Sequence, residues 1–169
     1  MNPRCFDAGS VSLVGNRKVN QDRSLILTQG ASTLLLVADG LGGHPRGEIA
    51  AQMLIDVSES LFRQQEKPLR DPEAFMMQCL HKAHEAIVAF GDRQMPPIAP
   101  RTTAVIAIMQ CGIAYWMHVG DSRLYLIRDG HIQAQTRDHS QVRYIRPADG
   151  NESKMRSSIT RCLGGLDQP

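Results

Sequence analysis

The chain has 169 residues, enough to bury the core of a single domain spanning 1–169, and its 42% hydrophobic and 21% charged residues are ordinary for a globular protein. A net charge of +2 lies too near neutral to leave the basic footprint of a nucleic-acid or membrane binder. No apolar run reaches the length of a bilayer span, and the N-terminus lacks the basic-then-apolar pattern of a leader, so the expected location is the cytoplasm.

In chain order, residues 6–14 alternate loosely and read as a first strand, broken by Gly15 and Asn16. A second strand is expected over 23–28 and a third, buried, over 33–37; the intervening Gln29-Gly30-Ala31-Ser32 makes the pair a hairpin. After Pro45 the period becomes helical, with Ala50, Met53, Leu54, Val57 and Leu61 as the apolar stripe. Asp71-Pro72-Glu73 announces a second helix, because an aspartate N-cap, a proline at the first position and an early acid all suit a helix start. Met76, Leu80, Ala83 and Ile87 form its buried face, and Gly91 ends it. Strands follow over 102–109, 113–119, 122–127 and 131–136, with Asp129-Gly130 as a two-residue hairpin turn and a short helix over 140–145. Residues 102–109 are apolar on both faces, so that strand is covered on both sides. The two helices cover one face, and a second sheet, built partly from the N-terminal strands, meets the other. That is an α+β layered sandwich. Cys5, Cys79, Cys111 and Cys162 are widely spread without a Cys-x-x-Cys pair and read as buried or inert thiols.

The chemistry centres on Ala38-Asp39-Gly40-Leu41-Gly42-Gly43-His44. Glycines let the backbone approach a ligand closely. The loop is not a P-loop, lacking Gly-Lys-Ser/Thr, and Pro45 stands where a dinucleotide loop would need its third glycine. A carboxylate beside exposed carbonyls suits a hard divalent cation, whereas a lone Asp-Gly is more often an ordinary tight turn. Asp22 and Asp121 also stand where strand meets loop, and Arg17 follows Gly15-Asn16. Each of these aspartates taken alone reads as a turn or hairpin residue. Aspartates without nearby His or Cys favour Mg²⁺ or Mn²⁺, and an arginine suits a phosphate. Together they point to metal-assisted phosphoryl hydrolysis, provided the loops converge.

Four segments, Gly15-Asn16-Arg17-Lys18-Val19-Asn20-Gln21-Asp22, Val37-Ala38-Asp39-Gly40-Leu41-Gly42-Gly43-His44, Thr102-Thr103-Ala104 and Val119-Gly120-Asp121-Ser122-Arg123, occur in the order found in the type 2C metal-dependent (PPM-type) protein Ser/Thr phosphatases. Asp138-His139-Ser140 and Ile159-Thr160-Arg161-Cys162-Leu163-Gly164 resemble later segments of the same family, and the wording is closest to its bacterial branch. The resemblance implies a four-layer αββα sandwich, two antiparallel sheets flanked by helices, with a two-metal centre of Mn²⁺ or Mg²⁺ between the sheets. It assigns Asp39 as the carboxylate bridging both metals, Gly40 as a backbone-carbonyl ligand, Asp22 as an acid near the metal waters and Asp121 as ligand of a weaker third metal. Arg17 would hold the substrate phosphate. The implied activity is hydrolysis of phosphoserine or phosphothreonine in a phosphorylated protein, the target of a Ser/Thr kinase, in cytoplasmic signalling, with no nucleic-acid or membrane partner.

The family ordinarily continues beyond Leu163-Gly164 and supplies two further aspartates there. Against that pattern the expectation is a C-terminally truncated domain with the last part of the fold missing. The alternative function is a catalytically weak or inactive phosphatase-like binding or regulatory module. Gln21, where some relatives carry Glu, and Pro100-Arg101, where glycine is usual, are smaller departures. Of the remaining candidates, His81 and His84 read as a half-buried helix face and His44 as loop structure. His118 is expected to be packed between sheets, and Arg123 to be an ion-pair partner near Asp121.

Overall fold

The structure is a computed structural model and describes residues 6–145 and 154–165. Strand β1 (Asp22–Gln29) turns at Gly30, whose φ is 57°, into β2 (Ser32–Asp39). Two helices follow, α1 (Gly47–Gln64) and α2 (Pro72–Asp92), then β3 (Ala104–Gln110) and β4 (Ile113–Val119). The four strands form one antiparallel sheet in the order β1-β2-β3-β4. Because side chains alternate across a strand, the register assigns every residue to a face. Leu34, Leu36 and Ala38 of β2 stand beside Ala104, Ile106 and Ile108 of β3, all almost fully buried, on the face that α1 and α2 cover. Each such Leu or Ile contributes about 1.5–3 kcal/mol of burial. The outer face carries Asp22, Ser24 and Ile26, then Leu35, Val37 and Asp39, then Val105, Ala107 and Met109, with Trp116 and His118 at the far side.

Helix α2 starts where the local chemistry says. The Asp71 carboxylate accepts from the Ala74 N–H at 2.9 Å, and Pro72 occupies the first turn. Met76, Leu80, Ala83 and Ile87 are buried as expected, with Phe75 and Cys79 beside them. On α1 the buried stripe is rotated by about one residue from the expected one. Ala51, Leu54, Ile55, Ser58 and Phe62 point inward, while Met53, Val57 and Leu61 lie at the margin. Phe62 anchors this choice, packing edge-on against Phe75 of α2 at 5.8 Å. No described helix is long and apolar enough to cross a membrane.

Three expectations need correction. Residues 6–14 form no strand; they run irregularly, and Phe6 to Ser10 line an open cleft of about 380 Å³ together with Ser24, Ile26, Leu35, Val37 and Met109 of the outer face. The N-terminal hairpin does not seed a second sheet, since β2 pairs directly with β3. The β2 residues Leu34, Leu36 and Ala38 can bury only under the helices, which forces that pairing. Residues 140–145 are a strand, β7 (Ser140–Ile145), paired with β8 (Lys154–Ile159); Val142, Tyr144 and Ile145 favour extended backbone. Between these elements, β5 (Tyr125–Arg128) and β6 (His131–Gln135) form the expected hairpin, with Asp129 and Gly130 at φ 50° and 74°. The fold is α+β, with antiparallel sheets and covering helices, as expected.

Cys79 and Cys162 are buried, but Cys111 is exposed. With Gly112 it forms the β3–β4 turn at positive φ, 52° and 77°, a place set by backbone shape and not by burial.

Candidate active site

At one end of the outer sheet face, Asp22 and Asp39 are direct cross-strand partners. Like charges directly opposite in a sheet repel. The Asp39 carboxyl is accordingly pushed up to about 6, first by burial, then by the negative charge of Asp22 and the hydrogen bond the two carboxyls share. Arg17 pulls the other way, and Asp121 adds a smaller upward push. Asp22, Arg17 and Asp121 therefore all act on Asp39.

The backbone around Asp39 is clamped from β3. Its N–H donates to Thr103 Oγ1 at 3.1 Å, and its carbonyl accepts from the Thr103 N–H at 2.9 Å and Thr102 Oγ1 at 3.0 Å. Thr103 Oγ1 also bonds Ser122 Oγ at 2.6 Å, which ties the Asp121 loop to the Asp39 strand. On the other side, the Asp22 N–H donates to Asn20 Oδ1 at 3.0 Å, and the Gly40 N–H to the Gln21 carbonyl at 3.2 Å. Gly40 bridges Thr102 through bonds made by its neighbours, Leu41 N–H to the Arg101 carbonyl and Thr103 N–H to Asp39, which leaves its own carbonyl outside that ladder.

Gly40 is glycine because the first turn of α1 runs against it. A Cβ there would strike the carbonyl group of Gly47, and one on Gly47 would come within 2.9 Å of the Gly40 carbonyl carbon. The Gln21 amide, which donates to Glu48 at 3.3 Å, closes this joint. Beside it, Arg17, Lys18, Val19, Gln21, Gly42 and Gly43 line an open cleft of about 520 Å³. The Arg17 turn is held by its N–H to the Val14 carbonyl at 3.2 Å, and Asn20 Nδ2 donates to Ser12 Oγ at 2.7 Å.

Among the described residues no three His, Cys, Asp or Glu side chains converge into a ready-made metal cage. Asp121 reaches Asp39 through charge, not as a third member of a cluster. A hard cation such as Mg²⁺ asks for no more than one or two carboxylates and keeps several waters, so the opposed Asp22 and Asp39 with the Gly40 carbonyl fit one.

Other candidates lie elsewhere. Arg123 pairs with Asp138, not with the Asp121 region: two bonds of 2.7 Å join them. His118 is not packed out of reach between sheets; its Nε2 donates to the Arg137 carbonyl at 2.8 Å, and its ring stacks on His139. His81 and His84 are half-buried, and His84 Nδ1 accepts from the Gly164 N–H at 3.2 Å. His44 is held below its usual value by burial and by Arg101. The bracing set of Thr102, Thr103, Ser122 and Asn20 is not apparent as such in the sequence. Their only signal was that all four lie in the segments carrying the family resemblance.

The sequence profile of the protein phosphatase 2C family matches residues 12–158. The chain belongs to the protein phosphatase 2C family. A relative, the serine/threonine protein phosphatase PstP of Mycobacterium tuberculosis, is 31% identical over 92% of this chain and 32% of its own length. Among solved structures, that of Stp1 from Staphylococcus aureus superposes with a TM-score of 0.70 at 25% identity, over 83% of this chain and 59% of that one. A PstP catalytic domain in complex with two manganese ions gives a TM-score of 0.62 at 32% identity, over 79% of this chain and 54% of that one. The chain thus spans about a third of the full-length PstP and somewhat over half of the solved phosphatase 2C domains.

Proposed function

We propose that this chain carries the metal- and phosphate-binding part of a phosphatase that hydrolyses phosphoserine and phosphothreonine in proteins. The observation that carries the reading is the Asp22–Asp39 pair, two carboxyls held face to face by clamped backbone although they repel. Such an arrangement is costly unless a cation offsets it. Asp39, Asp22 and the Gly40 carbonyl would hold Mn²⁺ or Mg²⁺, two ions as in the manganese complex of PstP, with Asp121 serving a weaker third. Divalent cations there supply positive charge to phosphoryl oxygens and lower the pKa of water. Arg17 binds and orients the phosphoryl group from the rim of the open cleft, and Lys18 adds a second positive charge there. Gly42 and Gly43 leave room for the substrate chain to lie close. Above about pH 6 Asp39 is ionised and free to bind a cation; below it, a proton competes. The substrate would be a protein phosphorylated by a Ser/Thr kinase in the cytoplasm.

The test is manganese titration of the chain, read by loss of the free-ion electron paramagnetic resonance signal, alongside hydrolysis of a phosphothreonine peptide. Asp39→Ala is expected to abolish tight manganese binding and to cut turnover at least about 100-fold. Arg17→Ala is expected to weaken phosphopeptide handling with manganese binding retained. Full manganese-dependent activity in Asp39→Ala would overturn the assignment.

A further inference from the structure

Between α2 and β4 a cleft of about 290 Å³ is lined by His81, His118, His139 and Arg161 over an apolar floor that includes Leu80 and Met117, with neither Asp22, Asp39 nor Asp121 in its lining. Four cationic or titratable side chains converging on an apolar floor match the general make-up of a small-molecule site. Two of the rings have their tautomers set by backbone. His118 Nε2 must donate, since its partner at 2.8 Å is the Arg137 carbonyl. His139 Nδ1 must accept, since the Gly120 N–H donates to it at 3.3 Å. His118 Nδ1 and the His139 Nε2–H are therefore the ring positions left for a ligand. The rings stack at 4.5 Å and 17°, so a positive charge on one is felt by the other.

The groups facing this pair are unbalanced. Burial, His118 and Arg161 hold His139 below its usual value, against an opposing pull from Asp138. Asp138 itself is committed to Arg123 through two bonds of 2.7 Å. Among the described residues no carboxylate lines the cleft. We infer that this cleft binds a small organic anion, a carboxylate or a phosphate monoester on an apolar body, with Arg161, His81 and the His139 Nε2–H on the anion and Leu80 and Met117 under the body. The floor disfavours a bare, fully hydrated anion, and the four side chains disfavour an uncharged ligand. The site does not depend on the phosphatase reading, since none of its residues belongs to the acidic centre.

The experiment is a titration of ¹⁵N-histidine-labelled chain followed through the imidazole resonances, assigned by single His→Gln variants. Benzoate and phenylphosphonate are the probes, with benzyl alcohol and inorganic phosphate as controls. Saturable shifts at His81, His118 and His139 are expected for at least one aromatic anion, with both controls at least about tenfold weaker. The anion that saturates first says whether the natural ligand is a carboxylate or a phosphate ester. Arg161→Gln, an exposed substitution, is expected to weaken binding about tenfold with the circular dichroism spectrum unchanged. Binding is also expected to raise the His139 pKa. The inference is overturned if no saturable shift occurs, if Arg161→Gln binds equally well, or if the shifts centre on His44, which would place the probe at the acidic centre.

Discussion

Asp39 is where charge, burial and backbone meet, and its titration is open to direct measurement. Its ordinary value is 3.8 and its folded value about 6, so between these the folded chain retains a proton that the unfolded chain has released. The associated stability is present on the acid side and lost as pH rises through about 6. In metal-free buffer, thermal melts of the chain minus those of Asp39→Asn are expected to decline from pH 4 to 6.5. The subtraction matters because His44, His84 and His139, all lowered mainly by burial, act in the opposite sense. A flat difference would remove the carboxyl pair from the argument for a cation site. Thr103 is the second informative residue, since its hydroxyl accepts from Asp39 and reaches Ser122. Thr103→Val leaves the Asp39 N–H without its side-chain acceptor and should cost about 1–3 kcal/mol by urea unfolding, with Thr103→Ser recovering most of it. At this scale the sequence was partly legible. Asp22, Asp39 and Asp121 stood out where strand meets loop, and Arg17 after Gly15-Asn16. The threonine clamp did not, because a hydroxyl's partner lies 64 residues away in the chain for Asp39 to Thr103.

At the scale of elements, the joint between the end of β2 and the start of α1 is closed by two glycines in contact. Gly47→Ala is expected to destabilise the chain by about 1–3 kcal/mol and to weaken manganese binding, because the added methyl must push the helix off the Asp39 loop. Asp71→Ala is the contrasting case. Loss of the α2 cap should cost about 1 kcal/mol, read by urea midpoint, while manganese binding is unchanged. The start of α2 and the Asp129-Gly130 turn were readable because their signals are local: a cap, a proline, a pair of positive φ values. The rotated α1 stripe was not, since Phe62 and Ile55 are chosen by what α2 and β2 offer them. Nor was the strand at Ser140–Ile145, whose pairing partner Lys154–Ile159 comes after a polar stretch.

Taken whole, the molecule has one well-covered sheet face and one with apolar side chains in solvent. Ile26 is 37%, Val37 47% and Trp116 37% exposed on the outer face. The chain is expected to bind anilinonaphthalene sulfonate in its native state, and Ile26→Lys to reduce that fluorescence without lowering the melting temperature. An unchanged signal would place the dye elsewhere. The α+β class was legible from the order of periodicities, but the pairing of β2 with β3 was not. That pairing depends on helices folding back over a hairpin that precedes them. The same hairpin carries a further consequence. Gly30 and Ala31 join strands in which Asp22 and Asp39 point the same way. Side chains in a strand alternate in direction, so this agreement is a matter of parity. Slippage of β1 by two positions would move Asp22 along the outer face; slippage by one would turn it toward the helices and bring Leu25 and Leu27 out. The loop that counts residues for the chemistry thus lies at the opposite end of the hairpin from the acids, and a lineage that gained one residue there would face a choice between bulging the turn and losing the pair.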